Sequence, residues 1–177
     1  MLRSEIKTDT LTAALLRLNA ALDDMSPAMR DIGELMVLRT TDNFRAGTSP
    51  DGVPWAPKSL ATIDSYRTAE GRKANSPVPM QPLIGMSRSL STTIAYAAAP
   101  TSVAWGSNMI YAAVMQFGAQ AGEFGTRTGQ DKNGRAFKVS SPWGDIPARP
   151  FLGVGADDET AILDTISDYL NAATQAP

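Results

Sequence analysis

The segment Ile146-Pro147-Ala148-Arg149-Pro150-Phe151-Leu152-Gly153 constrains this chain more than any other. Each proline locks φ at about −65°, lacks an N–H and pushes the residue before it into extended geometry. Ala148 to Leu152 are therefore not helical. Phe151 and Leu152 are apolar enough to anchor the stretch, which leaves Arg149 as a permanent charge on a stiff mount. Its planar guanidinium suits paired hydrogen bonds to a carboxylate or to backbone carbonyls. Two roles are open: a contact with a neighbouring subunit, or an intramolecular tether to the core.

The 177 residues hold 43% hydrophobic side chains and carry a formal net charge of −2, with no long apolar run and no long single-sign charge run. That describes a soluble globular chain, with one domain spanning 1–177 as the default. Cysteine and histidine are both absent. Disulfides, thiolate zinc sites and cysteine nucleophiles are thus excluded, as are the commonest general base and metal ligand. A serine or threonine nucleophile would need a lysine or the chain terminus as activator, and no such constellation occurs. No Walker-type loop is present, so neither a cofactor nor a metal is expected. Met1 to Thr12 mixes charges with few apolar residues and lacks the apolar stretch of a secretion signal, an expectation of synthesis in the host cytoplasm.

Along the chain, Leu11, Leu15, Leu18, Leu22 and Met25 step by three and four residues, the stripe of an amphipathic helix capped by Thr8 or Asp9 and ending near Asp24. The stripe is short, which favours a helix folded onto its own domain over an intersubunit coil. Ser26-Pro27 reads as the start of a second helix, antiparallel to the first, with Met29, Ile32, Leu35 and Met36 leading toward Phe44. Asp42-Asn43 and Gly47 read as stop signals. Residues 1–46 thus form a helical N-terminal part. Gly47 to Pro57 turns repeatedly and is pinned by Trp55, read as a core plug. Ser59 to Glu70 suggests a short helix, and Gly71 to Pro82 a mobile connection.

From Leu83 the pattern suggests a helical turn, then strands Thr92–Ala99 and Ser102–Trp105 around Pro100-Thr101. Tyr111 to Phe117 is apolar in a helical rhythm and stops at Gly118. Gly118 to Asp145 carries six glycines, with Arg127, Lys132, Arg135 and Lys138 among polar neighbours. It reads as a long hairpin or flap, a flexible extension that orders against neighbouring subunits. Asp157 to Ala172 forms a last helix, with Asp157, Asp158 and Glu159 complementing its N-terminal dipole. Lys58 to Arg88 counts five basic and two acidic residues, whereas Asp157 to Asp168 counts five acids and no base. In a head-to-tail ring such patches could meet across each boundary; the plainer reading is a solvated acidic helix.

Three blocks, Ser49-Pro50-Asp51-Gly52-Val53-Pro54-Trp55, Tyr111-Ala112-Ala113-Val114-Met115-Gln116-Phe117-Gly118 and Ile146 to Gly153, stand in an order and spacing that resembles the phage virion morphogenesis family. These are the tail-completion proteins of Mu-like and related tailed phages. The resemblance runs from about Phe44 to Gly155 in separate blocks. Met115 stands where the family often has histidine, keeping the bulk and losing the proton chemistry. Ile84-Gly85-Met86 stands where it often has Thr-Gly or Ser-Gly. The resemblance implies a virion protein of the neck or tail end, acting after tail assembly so that finished tails join DNA-filled heads. It implies a ring of copies, a hexamer or alternatively a dodecamer, with a monomer in isolation as the alternative. Other neck, connector or tail-tube proteins would be its partners, with DNA in the lumen an open question and no membrane involved.

The expected fold is α+β: two N-terminal helices and a C-terminal helix packed on a small, mainly antiparallel sheet drawn from Thr92 to Val154, with 118–145 as a loop or hairpin extension. Three functions compete. A structural virion protein needs no catalytic group. A nucleic-acid-binding ring would use the basic middle region, against which stand net acidity and the lack of a clustered basic stripe. A carboxylate-based hydrolase would use acids such as Asp51 and Asp145, whose separation nothing in the sequence fixes. The first is favoured, with Arg149, Phe151, Arg127, Lys132, Arg135, Lys138, Asp157 and Asp158 as the expected interaction residues.

Overall fold

A computed structural model describes residues 8–69, 77–123, 126–131, 133–140 and 145–175. The elements are α1 (Thr8–Asp23), α2 (Ser26–Ala46), α3 (Leu60–Thr68), α4 (Ser89–Thr92), β1 (Ile94–Ala99), β2 (Ser102–Ser107), α5 (Ala112–Phe117), β3 (Thr126–Gln130), β4 (Ala136–Ser140) and α6 (Ala156–Gln175). They assort into two compact units. The first takes α1, α2 through Arg39, the β1–β2 pair through Gly106, and the chain from Val154 with α6. The second takes Thr40–Thr93 and Ser107–Gly153.

In the first unit, Met29, Ile32 and Met36 recur at helical spacing on α2 and form the core, against which Met25, Val103, Trp105, Ile162 and Ile166 pack. This is the helical face expected from periodicity. The Tyr96 ring of β1 lies over α2 so closely that a Cβ on Gly33 would be 2.2 Å from it, so this position admits no side chain without displacing the ring. The Tyr96 hydroxyl donates to Glu34 Oε1 at 3.3 Å. Asp24 Oδ1 accepts from the Ser26 N–H at 3.0 Å and opens α2, whose first turn contains Pro27. At the start of α6, the buried Asp158 accepts from Gly155 N–H at 3.0 Å and pairs with Arg39 Nε at 3.3 Å.

α1 differs from its sequence reading. Its main packing partner is α6, not α2. Its partly covered residues are Ala14, Arg17, Leu18 and Ala21, whereas Leu11, Leu15 and Leu22 of the expected stripe stay exposed. The α6 Tyr169 hydroxyl donates to Asp24 O at 2.8 Å. α2 also runs through Asp42 and Asn43, where Asp42 pairs with Arg45 at 2.9 Å, and ends at Gly47 with φ +75°.

The strands form two separate two-stranded pairs, β1–β2 and β3–β4, and not one sheet. The two-residue link Pro100-Thr101 leaves β1 and β2 only antiparallel pairing. β3 and β4 are antiparallel with Gly129 opposite Phe137. The class is α+β. Of the Gly71–Pro82 connection, residues 71–76 lie outside the described set, as does Lys132. No described helix is long and apolar enough to cross a membrane.

Candidate interaction site

The three sequence blocks meet in the second unit. α5 ends at Gly118, whose φ of +78° and close neighbours, Ile146 O and Ala148 N within 2.8 Å of where a Cβ would sit, leave room for glycine alone. The 146–153 segment passes there in extended form. Ala119 and Ile146 exchange two backbone hydrogen bonds of 2.9 and 2.8 Å, and Arg149 N–H donates to Met115 O at 2.9 Å. Gln116 closes the clamp: its Oε1 accepts from the N–H groups of Phe151 and Leu152 at 2.9 and 3.0 Å, and its Nε2 donates to Leu152 O at 2.8 Å. One side-chain amide thereby replaces the strand partner this segment lacks.

The other side of the segment faces the Pro50–Trp55 block. Trp55 Nε1 donates to Pro150 O at 2.8 Å. Phe44 stands between two rings, 5.5 Å from Trp55 in a T-shaped arrangement and 5.3 Å from Phe151. Phe151 and Phe44 are essentially inaccessible. Trp55 is the core plug expected of it.

Arg149 is buried, and its guanidinium answers carbonyls of proline-rich chain that have few N–H groups nearby. Nε donates to Ala56 O at 2.7 Å, Nη2 to Pro57 O at 2.9 Å and Nη1 to Pro147 O at 3.4 Å. Lys58 repeats the device, donating to Pro79 O and Ile84 O and lying 5.0 Å above the Tyr66 ring. Burial pushes both side chains below their ordinary pKa values, and for Lys58 the Arg149 charge adds to the effect. The intramolecular tether is thus the geometry that Arg149 adopts.

The remaining expected residues lie apart from this clamp. Arg135 and Lys138 are exposed on the β3–β4 hairpin. Arg127 is in β3 opposite Val139. Asp157 is exposed in the first turn of α6, while Asp158 is buried there as a cap. Asp145 lines an open hollow of about 620 Å³ together with Glu123, Phe117 and Gly118. Its Oδ1 accepts from Ala121 N–H, and Glu123 Oε2 accepts from Gln120 N–H, which makes both acids turn supports. Asp51 is exposed in the turn closed by Gly52 N–H and Ser49 O. Gln116, Phe44 and Lys58 were not legible as clamp residues. The one available signal was an amide inside the apolar run 111–117.

The model of the phage virion morphogenesis family matches residues 6–171. The chain belongs to the phage virion morphogenesis family. It is 31% identical over 159 residues to the Mu-like prophage FluMu G protein 2 of Haemophilus influenzae (strain ATCC 51907 / DSM 11121 / KW20 / Rd), a match covering 90% of this chain and 88% of that protein. No solved structure matches. As a member of the phage virion morphogenesis family, the protein has its role in phage virion assembly. The blocks that carried the resemblance in the sequence are the ones the fold clamps together.

Proposed function

We propose that the protein is a structural component of the virion neck or tail end, without enzymatic activity, which completes the tail so that it joins a DNA-filled head. The observation carrying this reading is the convergence of the three family blocks on a scaffold clamp. Its Gln116 amide and Trp55 indole are committed to backbone partners, and Arg149, the buried charge at its centre, donates to carbonyls. A catalytic site needs a group left free to react with substrate, and the Gln116, Trp55 and Arg149 side chains at the heart of the clamp are spent on the backbone. The protein works with copies of itself in a ring, a hexamer before a dodecamer, and with other neck, connector or tail-tube proteins.

The test is a phage or inducible prophage carrying a stop codon in this gene. The expected lysate contains DNA-filled heads and separate full-length tails, and purified wild-type protein added to it restores joined particles. Joined particles without the protein, or a lysate lacking tails altogether, would contradict the reading.

A further inference from the structure

Among the described residues, the β3–β4 hairpin and the outer face of α6 carry charges with no ion-pair partner, and their chemistry is complementary. Every described side chain of the hairpin is exposed, and the one partly covered residue is Gly129, under Phe137. An isolated two-stranded hairpin is marginal in water and gains order from a surface to pack on. Its one acid is already used, because Asp131 Oδ1 accepts from the N–H groups of Asn133 and Arg135 at the turn. The Arg135 and Lys138 charges have no ion pair among the described residues.

On α6, Asp157, Asp164 and Asp168 fall at spacings of seven and four, within about 20° of one line along the helix. That line lies opposite the core residues Ile162 and Ile166. α6 contains no basic residue, and none of the three carboxylates has an ion pair among the described residues. The acidic line is about 16 Å long at the helical rise, and five-residue strands extend about 17 Å. The two elements match in length and oppose in charge.

We propose that the β4 edge of the hairpin in one copy docks along the Asp157–Asp164–Asp168 face of α6 in a second copy, with Arg135 and Lys138, which leave opposite faces of the hairpin, reaching the carboxylates from either side of that edge. Such a contact joins unlike surfaces head to tail, the type that generates rings or filaments. Charge complementarity sets its register and orientation. DNA is the other polyanion a basic hairpin could meet, but the acidic α6 face gives this chain a matching surface of its own. The inference does not rest on head–tail joining: self-association is read on purified chain and joining in lysates, so either can fail alone.

Sedimentation of the full chain tests it. Arg135→Glu with Lys138→Glu reverses the hairpin, and Asp164→Lys with Asp168→Lys reverses the helix face. Wild type should self-associate, more weakly as salt rises. Each reversed variant should associate at least about tenfold more weakly, and an equimolar mixture of the two should recover wild-type association. Thermal melts establish that both variants fold; a variant that does not is replaced by Arg135→Gln with Lys138→Gln, or Asp164→Asn with Asp168→Asn, with the same loss expected. A wild type still monomeric at about 1 mM, unchanged association in either variant, or a mixture no better than its components overturns the proposal. So does a hairpin variant that keeps self-association and loses binding to duplex DNA, which would make DNA the hairpin's partner.

Discussion

The 146–153 segment and the β3–β4 hairpin were both singled out in the sequence by arginine among turn-forming residues, and the fold treats them in opposite ways. In the first, a buried guanidinium, a clamping amide and two aromatic neighbours leave little for a partner to hold. In the second, the cationic side chains at 135 and 138 remain in solvent, as does every described side chain of the hairpin. An arginine beside prolines meets carbonyls that have lost their N–H partners, so the local chain consumes its donors. The cationic side chains at 135 and 138 stand in solvent on the hairpin, with no described proline-rich stretch folded over them. The same residue type is structural in one setting and available in the other.

Substitutions can break this contrast, and the largest effect is expected at Phe151. Phe151→Ala removes a fully buried ring packed on Phe44 and should cost about 3–5 kcal/mol, measured by denaturant unfolding. A loss under about 1 kcal/mol would mean that the segment is not part of the core. Next comes Arg149→Ala, which leaves the carbonyls of Ala56 and Pro57 without donors. Its expected cost is about 2–4 kcal/mol, lowering the melting temperature by roughly 2–4 °C per kcal/mol. Arg149→Lys should recover little of it, since one ammonium cannot reproduce the fork. A mutant that melts like wild type would return Arg149 to solvent and to a partner.

The hairpin should behave in the opposite way. Arg135→Ala and Lys138→Ala are expected to change stability by less than about 0.5 kcal/mol, and a larger loss would show that the hairpin is packed within its own chain. The smallest effect concerns Asp24, exposed at the start of α2. Hydrogen bonds from the Ser26 side chain and N–H hold its carboxyl below the usual aspartate value of 3.8, with Arg30 nearby. A carboxylate favoured in the folded state contributes stability above the unfolded pKa and loses it as pH falls through the lower folded value. Wild type and Asp24→Asn should therefore differ at neutral pH and converge in strong acid. A gap that persists at low pH would assign the effect to something other than ionisation.

Much of this was legible locally. The core face of α2 follows from Met29, Ile32 and Met36 at helical spacing, its opening from Ser26-Pro27, and the end of α5 from Gly118. The acidic start of α6 was readable as dipole chemistry, though not that Asp158 turns inward to Gly155 while Asp157 faces water. What the sequence hides is long-range. Trp55 and Pro150 are 95 positions apart, and no period links Phe44, Gln116 and Phe151. Strand grouping failed for the same reason: a short alternating run encodes which face is apolar, not which strand lies beside it. The α1 leucines misled because spacing reports an apolar ridge without reporting which neighbour has room to approach.

Hydrogen exchange on the free chain and on the assembled virion tests the contrast most directly, because it reads both regions in one experiment. The amides of Arg149, Phe151 and Leu152, all hydrogen-bonded within the chain, should be protected equally in both states. The amides of Thr128 to Lys138 should exchange fast in the free chain and slowly in the virion. Equal protection of the hairpin in the two states, or protection of the 146–153 segment that appears only on assembly, would contradict the account.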